Sequence, residues 1–297
     1  GGSSDLDWFV KDNGYGVCLG YSLNKYSYSV LNVLPENSHR GILEYSNREE
    51  YSEIEEIVHP IVREVLFDLD ISKYIELKTF GFASGGAGLG GSGSFMISLI
   101  SSLSKAFKLN LSNQEIVEKA CFIEIHKLKK PVGKQDQYLC GNSGLNAFKF
   151  HENDLVDKVE ISLSKEKVIK RLSKDFYLIP TNKQRSSDIV LSKIKLEEQV
   201  KEKILEIRKI AEKFIIFEDE REDKIEQKFH DSIKESWKIK RSMSNVMTED
   251  LDDQYELINK LIPNNWIRLI GAGKGGYFLV SSKKKERDLH DIFEHKG

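Results

Sequence analysis

Three groups of residues in this 297-residue chain could do chemistry. Residues 84–94 read SGGAGLGGSGS, a glycine-rich run without charge, set directly before an apolar segment. Glu124 falls within the apolar series Val117, Ala120, Cys121 and Leu128. Asp136 stands in the polar string Gly133-Lys-Gln-Asp-Gln-Tyr138. The glycine run is flanked by a strand pattern and a helix pattern. In that setting free backbone N–H groups and the positive end of a helix dipole can hold phosphate, whereas a flexible linker would tolerate any flank. A carboxylate on the buried stripe of a helix is costly unless a basic side chain neutralises it or it binds a cation. The residue types at Glu124 leave both open. Asp136 either caps a helix or closes a turn, or it acts as a base toward a substrate hydroxyl, with Lys134 close enough to influence its charge.

The elements that must position these groups follow from periodicity. Alternating apolar residues at Val17, Leu19, Tyr21, Leu23 and at Tyr26, Tyr28, Val30 predict two strands paired with each other. A helix is expected across Glu55 to Asp68, and Tyr74 to Phe82 reads as a strand leading into the glycine run. Phe95, Met96, Leu99, Ile100, Leu103 and Phe107 then recur at helical spacing, giving the order strand, glycine loop, helix. Ser112-Asn-Gln-Glu115 is a capping box that opens the helix carrying Glu124. Leu145 to Phe150 and Leu155 to Ile161 predict a hairpin around His151 to Asp154, and a boundary near 162–174 divides the chain into domains 1–165 and 166–297. Beyond it come a strand at Phe176 to Thr181, Lys/Glu-rich helix over 188–249 and two strands at 266–271 and 277–281. A short helix is expected to the end.

Composition narrows the partner class. A hydrophobic fraction of 39% can fill a core in each domain, and a net charge of −2 carries no footprint for nucleic acid or an anionic membrane. Three cysteines (Cys18, Cys121, Cys140) without CxxC spacing suggest neither a disulfide framework nor a zinc cage. No apolar run approaches the roughly 18 residues a membrane span needs. A cytoplasmic protein with a small-molecule partner is expected, and a homo-oligomer is left open. Gly86 to Gly91 satisfies G-x-G-x-x-G, but a capped helix follows where a dinucleotide fold needs a strand ending in an acidic residue. There is no Gly-Lys-Ser/Thr ending for a Walker loop, and position 93, where a protein-kinase loop has valine, is glycine. The chain has no initiator Met and opens in a polar, glycine-bearing turn, so a strand is expected to precede Gly1.

Taken in order, several motifs resemble those of the GHMP kinases, the family of galactokinase, homoserine kinase, mevalonate kinase and phosphomevalonate kinase. Gly86-Ala-Gly-Leu-Gly-Gly-Ser92-Gly-Ser94 resembles their phosphate loop, and Gly133 to Tyr138 is similar to the string of the sugar-kinase branch that includes heptose 7-phosphate kinases. Gly271-Ala-Gly-Lys-Gly-Gly276 resembles the third family motif, Gly1 to Asp5 the tail of the first, and Trp237 to Met243 the helix before the third. The resemblance implies an α+β fold, with an N-terminal domain like ribosomal protein S5 domain 2 and a ferredoxin-like C-terminal domain. It implies an ATP-dependent kinase acting on a sugar or sugar-phosphate hydroxyl, foremost the anomeric hydroxyl of D-glycero-D-manno-heptose 7-phosphate. Galactokinase-like or fucokinase-like specificity and a non-catalytic sugar and nucleotide sensor are the alternatives. By the same resemblance ATP phosphates lie along Gly86, Ala87, Gly88, Leu89, Gly90, Gly91, Ser92, Gly93 and Ser94, and Ser92 and Glu124 hold Mg²⁺. Asp136, with Lys134, is catalytic, and Ser4, Asp5 and Gly273 face the sugar. Lys183 and Arg185 are candidates for a distal phosphate. The sequence departs from the family at Gly85 in place of proline, Gly91 in place of serine and Lys274 in place of glycine. Its end reads as one strand short of a full ferredoxin-like domain.

Overall fold

The computed structural model describes residues 2–81, 88–183, 190–191, 198–219, 221–244, 246–263 and 265–284. In chain order the first half contains α1 (Asp7–Asn13), β1 (Tyr15–Tyr21), β2 (Ser27–Val33), β3 (Gly41–Glu44), β4 (Arg48–Tyr51), α2 (Pro60–Asp68), β5 (Ile75–Gly81) and α3 (Gly91–Ala106). It continues with α4 (Asn113–Phe122), a π-helical turn (Ile123–Lys127), α5 (Gln135–Cys140), β6 (Leu145–His151) and β7 (Val156–Val159). The second half holds α6 (Leu163–Leu172), β8 (Phe176–Pro180), α7 (Glu198–Ile215), α8 (Glu222–Arg241), α9 (Glu249–Leu261), β9 (Ile267–Leu269) and β10 (Tyr277–Ser281). These elements form two compact units, one from residues 22–85 and 90–143, the other from residues 1–21, 86–89 and 144–297.

The unit of residues 22–85 and 90–143 is a four-stranded sheet, order β2-β5-β3-β4, with helices packed on it. Only β3 and β5 run parallel; the other pairs are antiparallel. Its core joins Leu43, Ile75 and Leu77 of the sheet to Val65 and Leu66 of α2, Met96, Leu99, Ile100 and Leu103 of α3, and Ala120 of α4. The helical spacing of the α3 residues is what turns them together onto the sheet. Ser112 accepts from Glu115 N at 3.3 Å while the Glu115 carboxylate accepts from Ser112 N at 2.7 Å, so the capping box forms as expected. Ser112→Ala is expected to cost about 1 kcal/mol of stability, read as a lower midpoint in urea unfolding.

The other unit contains two three-stranded sheets, ordered β1-β6-β7 and β8-β10-β9. One core gathers Leu6, Phe9, Ile204, Trp237, Leu251 and Phe278, and a second gathers Leu145, Val168, Phe214, Ile225, Phe229 and Trp266. The β6–β7 hairpin follows the sequence expectation, with Ala147 opposite Val159.

Some expectations are corrected. β1 and β2 are not partners: β1 pairs with β6, Tyr15 opposite His151, and β2 with β5, Ser27 opposite Gly81. Alternation reveals the two faces of a strand but carries no information about its neighbour. The helix expected over 55–68 is interrupted, because Pro60 favours the first helical position and holds His59 extended at ψ 106°. The long helix over 188–249 is at least two: α7 and α8 are separated at 216–221, and α9, opening with Glu249, Asp250 and Asp252 in its first turn, was not anticipated. The short C-terminal helix lies outside the described residues. The stretch 162–174 is largely α6, capped by Ser162 and burying Val168, Ile169 and Leu172. In the compact units β6 and β7 group with the later residues because β1 pairs there.

Candidate active site

The glycine run enters a helix, as its flanks predicted. Gly86 and Ala87 lie outside the described residues, while Gly88 and Gly90 take left-handed φ values of 76° and 69°. Gly90 is the cap of α3, and Ser94 N closes the first turn on Gly90 O at 2.9 Å. Along α3, Ser94 Oγ lies 2.8 Å from Ser27 Oγ, Ser98 Oγ donates to Ser29 Oγ at 3.0 Å, and Ser102 Oγ donates to Ser29 O at 3.1 Å. Spaced four apart, these hydroxyls share one face of the helix and fasten it to β2.

Two glycines let the start of α3 meet the start of α5. A Cβ on Gly93 would stand 3.3 Å from Gln137 N and 3.4 Å from the Asp136 carbonyl carbon. A Cβ on Gly90 would stand 3.0 Å from Cys140 Sγ and 3.8 Å from Asp136 Cγ. The approach puts the Asp136 side chain beside the glycine turn, on an exposed residue. Gly90→Ala combines that close contact with a backbone conformation L-residues disfavour, and is expected to cost about 1–2 kcal/mol, measured as a fall in unfolding midpoint.

Glu124 sits in the π-helical turn and is 4% exposed. Leu128 N reaches back to Ile123 O at 2.9 Å, a five-residue step that defines the widened turn. Ser92 Oγ donates to Glu124 Oε1 at 2.7 Å, the Lys130 ammonium donates to the same oxygen at 2.9 Å, and Gln137 Nε2 donates to Oε2. Both readings of this stripe carboxylate thus bear on one place: a basic side chain neutralises it, and a hydroxyl stands beside it. Two adjacent hard oxygen donors suit Mg²⁺, which takes one or two protein oxygens and completes its shell with water and phosphate. Among the described residues no group of three or more His, Cys, Asp or Glu could hold a metal. Residues Ser92 and Glu124 therefore fit a magnesium ion.

Burial, followed by Cys121 and Glu118, pushes the Tyr138 phenol up to about 12, which keeps its proton and removes it as a base at neutral pH. The Lys134 carbonyl accepts from Tyr138 N at 3.2 Å and ends the turn into α5. Ser22 Oγ donates to Leu139 O at 3.1 Å, tying the far end of α5 in place.

The remaining expected residues belong to the other unit. Ser4 is fully buried, and its hydroxyl donates to Val17 O at 2.7 Å and accepts from Val17 N at 3.1 Å, a link between the opening turn and β1. Asp5 is 4% exposed in the same turn. Gly273 takes φ 117° in the β9–β10 turn, where Lys274 N donates to Val246 O at 2.8 Å. Lys183 pairs with Asp250, and Arg185 lies outside the described residues. Lys130 was not singled out from sequence as a member of the site, and Gln137 stood in the polar string 133–138 without a role of its own. The signal for Lys130 was weak: a lysine six residues beyond a stripe carboxylate has no helical reason to meet it.

Residues 56–144 match the GHMP kinases N terminal domain. A curated D-glycero-alpha-D-manno-heptose 7-phosphate kinase from Campylobacter jejuni is 26% identical over 236 residues, 74% of this chain and 66% of that protein. The chain thus spans about two thirds of the length of that curated relative. A crystal structure of a D-glycero-D-manno-heptose 1-phosphate kinase from Bacteroides thetaiotaomicron superposes with TM-score 0.68 at 17% identity, over 99% of this chain and 88% of that one. Streptococcus pneumoniae phosphomevalonate kinase, solved with phosphomevalonate and AMPPNP, gives TM-score 0.71 at 13% identity, over 98% of this chain and 92% of that one. The fold is the α+β fold of the GHMP kinases. No helix among the described residues is long and apolar enough to cross a membrane.

Proposed function

We propose that this chain, which belongs to the GHMP kinase family, transfers the γ-phosphoryl group of ATP to a hydroxyl of a sugar or sugar phosphate. The observation that carries the reading is the Ser92–Glu124 hydrogen bond at 2.7 Å, made at the start of the helix whose glycine turn packs beside Asp136. Phosphoryl transfer asks a protein for positioning and charge neutralisation more than for covalent chemistry. The backbone N–H groups at Gly88 to Ser94 hold the phosphates, and Gly86 and Ala87 are assigned the same role. Ser92 and Glu124 hold the Mg²⁺ ion that offsets phosphate charge. Asp136 accepts a hydrogen bond from the acceptor hydroxyl and orients it or takes its proton, with Lys134 setting the local charge. Asp5, Ser4 and Gly273 are assigned to the sugar, and residues 1–165 and 166–297 to the family's N- and C-terminal domains.

The substrate we favour is D-glycero-D-manno-heptose 7-phosphate, phosphorylated at the anomeric hydroxyl. Support comes from the Gly133 to Tyr138 string and from the activity for which the Campylobacter jejuni relative is named. A panel of sugars and sugar phosphates, incubated with ATP and Mg²⁺ and read by ADP release, tests both levels. Turnover of the heptose phosphate above the other sugars is the expected result. Turnover of galactose or fucose instead would overturn the substrate but keep the kinase. Thermal stabilisation by sugar and nucleotide with no ADP release would replace the kinase with a non-catalytic sensor.

A further inference from the structure

Lys130 reaches Glu124 twice. Its backbone N–H donates to Glu124 O at 3.1 Å, and its ammonium donates to Glu124 Oε1 at 2.9 Å. The left-handed Lys129, at φ 52°, lies in the turn that brings the chain back. The same ammonium donates to Ser92 Oγ at 3.3 Å. A cation carried by the chain therefore bridges the two oxygens assigned above to Mg²⁺. Gln137, 1% exposed, holds the other carboxylate oxygen through Nε2, which leaves Oε1 as the oxygen open to exchange. Ser92 spends its hydrogen on Oε1, so the Oγ lone pair facing the ammonium is the one a metal would need. An ammonium and a divalent ion cannot share these lone pairs, since their repulsion is poorly screened around a carboxylate with only 5% of its side chain exposed.

We infer that Lys130 is a built-in counter-ion that competes with Mg²⁺ for Ser92 and Glu124, so that the metal enters with the nucleotide and not ahead of it. The inference rests on the kinase reading of the site. Without metal, the lysine neutralises a carboxylate that would otherwise be buried at a cost. With nucleotide, the triphosphate supplies the negative charge that a second cation requires and gives the displaced ammonium another anion to pair with.

The test is direct binding of Mn²⁺ to the full chain, followed by the electron paramagnetic resonance of the free ion, with and without ATP. Lys130→Met is expected to bind Mn²⁺ in the absence of nucleotide about tenfold or more tightly than the wild type, because the competing charge is gone. Its melting temperature is expected to lie below that of the wild type without metal and to rise more on adding Mn²⁺. Equal Mn²⁺ affinity in a folded Lys130→Met protein overturns the inference. A measurement on the wild type guards against a variant that fails to fold. The rate of Lys130 acylation in the wild type, quantified by mass spectrometry, should rise once Mn²⁺ is raised far enough to displace the ammonium by mass action, and stay at the metal-free rate when EDTA is added before the reagent. Unchanged labelling overturns the inference as well. If wild type and variant bind Mn²⁺–ATP alike and nucleotide-free affinity is unaltered, only the role of Lys130 falls. If neither holds Mn²⁺ even with ATP, the kinase reading falls with it.

Discussion

Asp136→Asn lowers turnover by about 10²–10⁴-fold and leaves ATP binding in place. The substitution is close to isosteric, so the approach of α5 to Gly90 and Gly93 persists; the side chain stays beside the glycine turn and the phosphate loop keeps its shape. What is lost is the negative charge and the capacity to accept a proton from the acceptor hydroxyl. Steady-state kinetics with the sugar substrate, together with the dissociation constant of a non-hydrolysable ATP analogue, separate the two effects. A matching loss of turnover and of nucleotide affinity would assign Asp136 to the structure of the loop and not to the chemistry.

Glu124→Gln acts on two quantities at once. Removal of the carboxylate takes away the charged ligand proposed for the metal, and phosphorylation should fall by about 10²-fold, with more Mg²⁺ needed to reach the remaining maximum. It also takes the negative charge from the Lys130 ammonium's partner at 2.9 Å. Breaking a fully buried pair is costly, but a quarter of the Lys130 side chain is exposed, so about 1–3 kcal/mol of stability is expected to be lost. A magnesium titration of the kinase rate and urea unfolding without metal check the two halves separately. An unchanged magnesium requirement would remove Glu124 from the metal site, whatever happens to stability.

Much of this site was legible because its signals are local. The strand, glycine loop and α3 follow from residue spacing over 74–107, and the Ser112 capping box marks the start of α4. Glu124 stood out because a carboxylate on an apolar stripe demands a partner. What could not be read were features set by contacts far apart in sequence. The hydroxyl contacts from Ser94, Ser98 and Ser102 to β2 cross 67 to 73 residues, and serines on a helix carry no sign of which strand they will meet. The same reason hid the partner of β1, whose alternation is as compatible with β2 as with the β6 it pairs with, more than a hundred residues away. Lys130 was missed for a different cause. Helical spacing sets the expectation for an i, i+6 pair, and the backbone around Glu124 leaves the α-helix just there.

The π-helical turn at Ile123–Lys127 acts as a one-residue insertion frozen into the fold. Wider turns of this kind hold one residue more than an α-helix does, and shortening the segment by one residue lets the backbone relax to ordinary geometry. A chain with a single deletion among residues 125–127 could therefore retain α4 and the core that packs on it. The same deletion inside α4 would instead rotate everything after it by about 100°, one residue's share of a 3.6-residue turn. At the wide turn the fold and the charge pair would both survive it. Length, and not only residue identity, is thus a variable of the site, and a shift of a single position inside α4 turns the carboxylate away from Ser92.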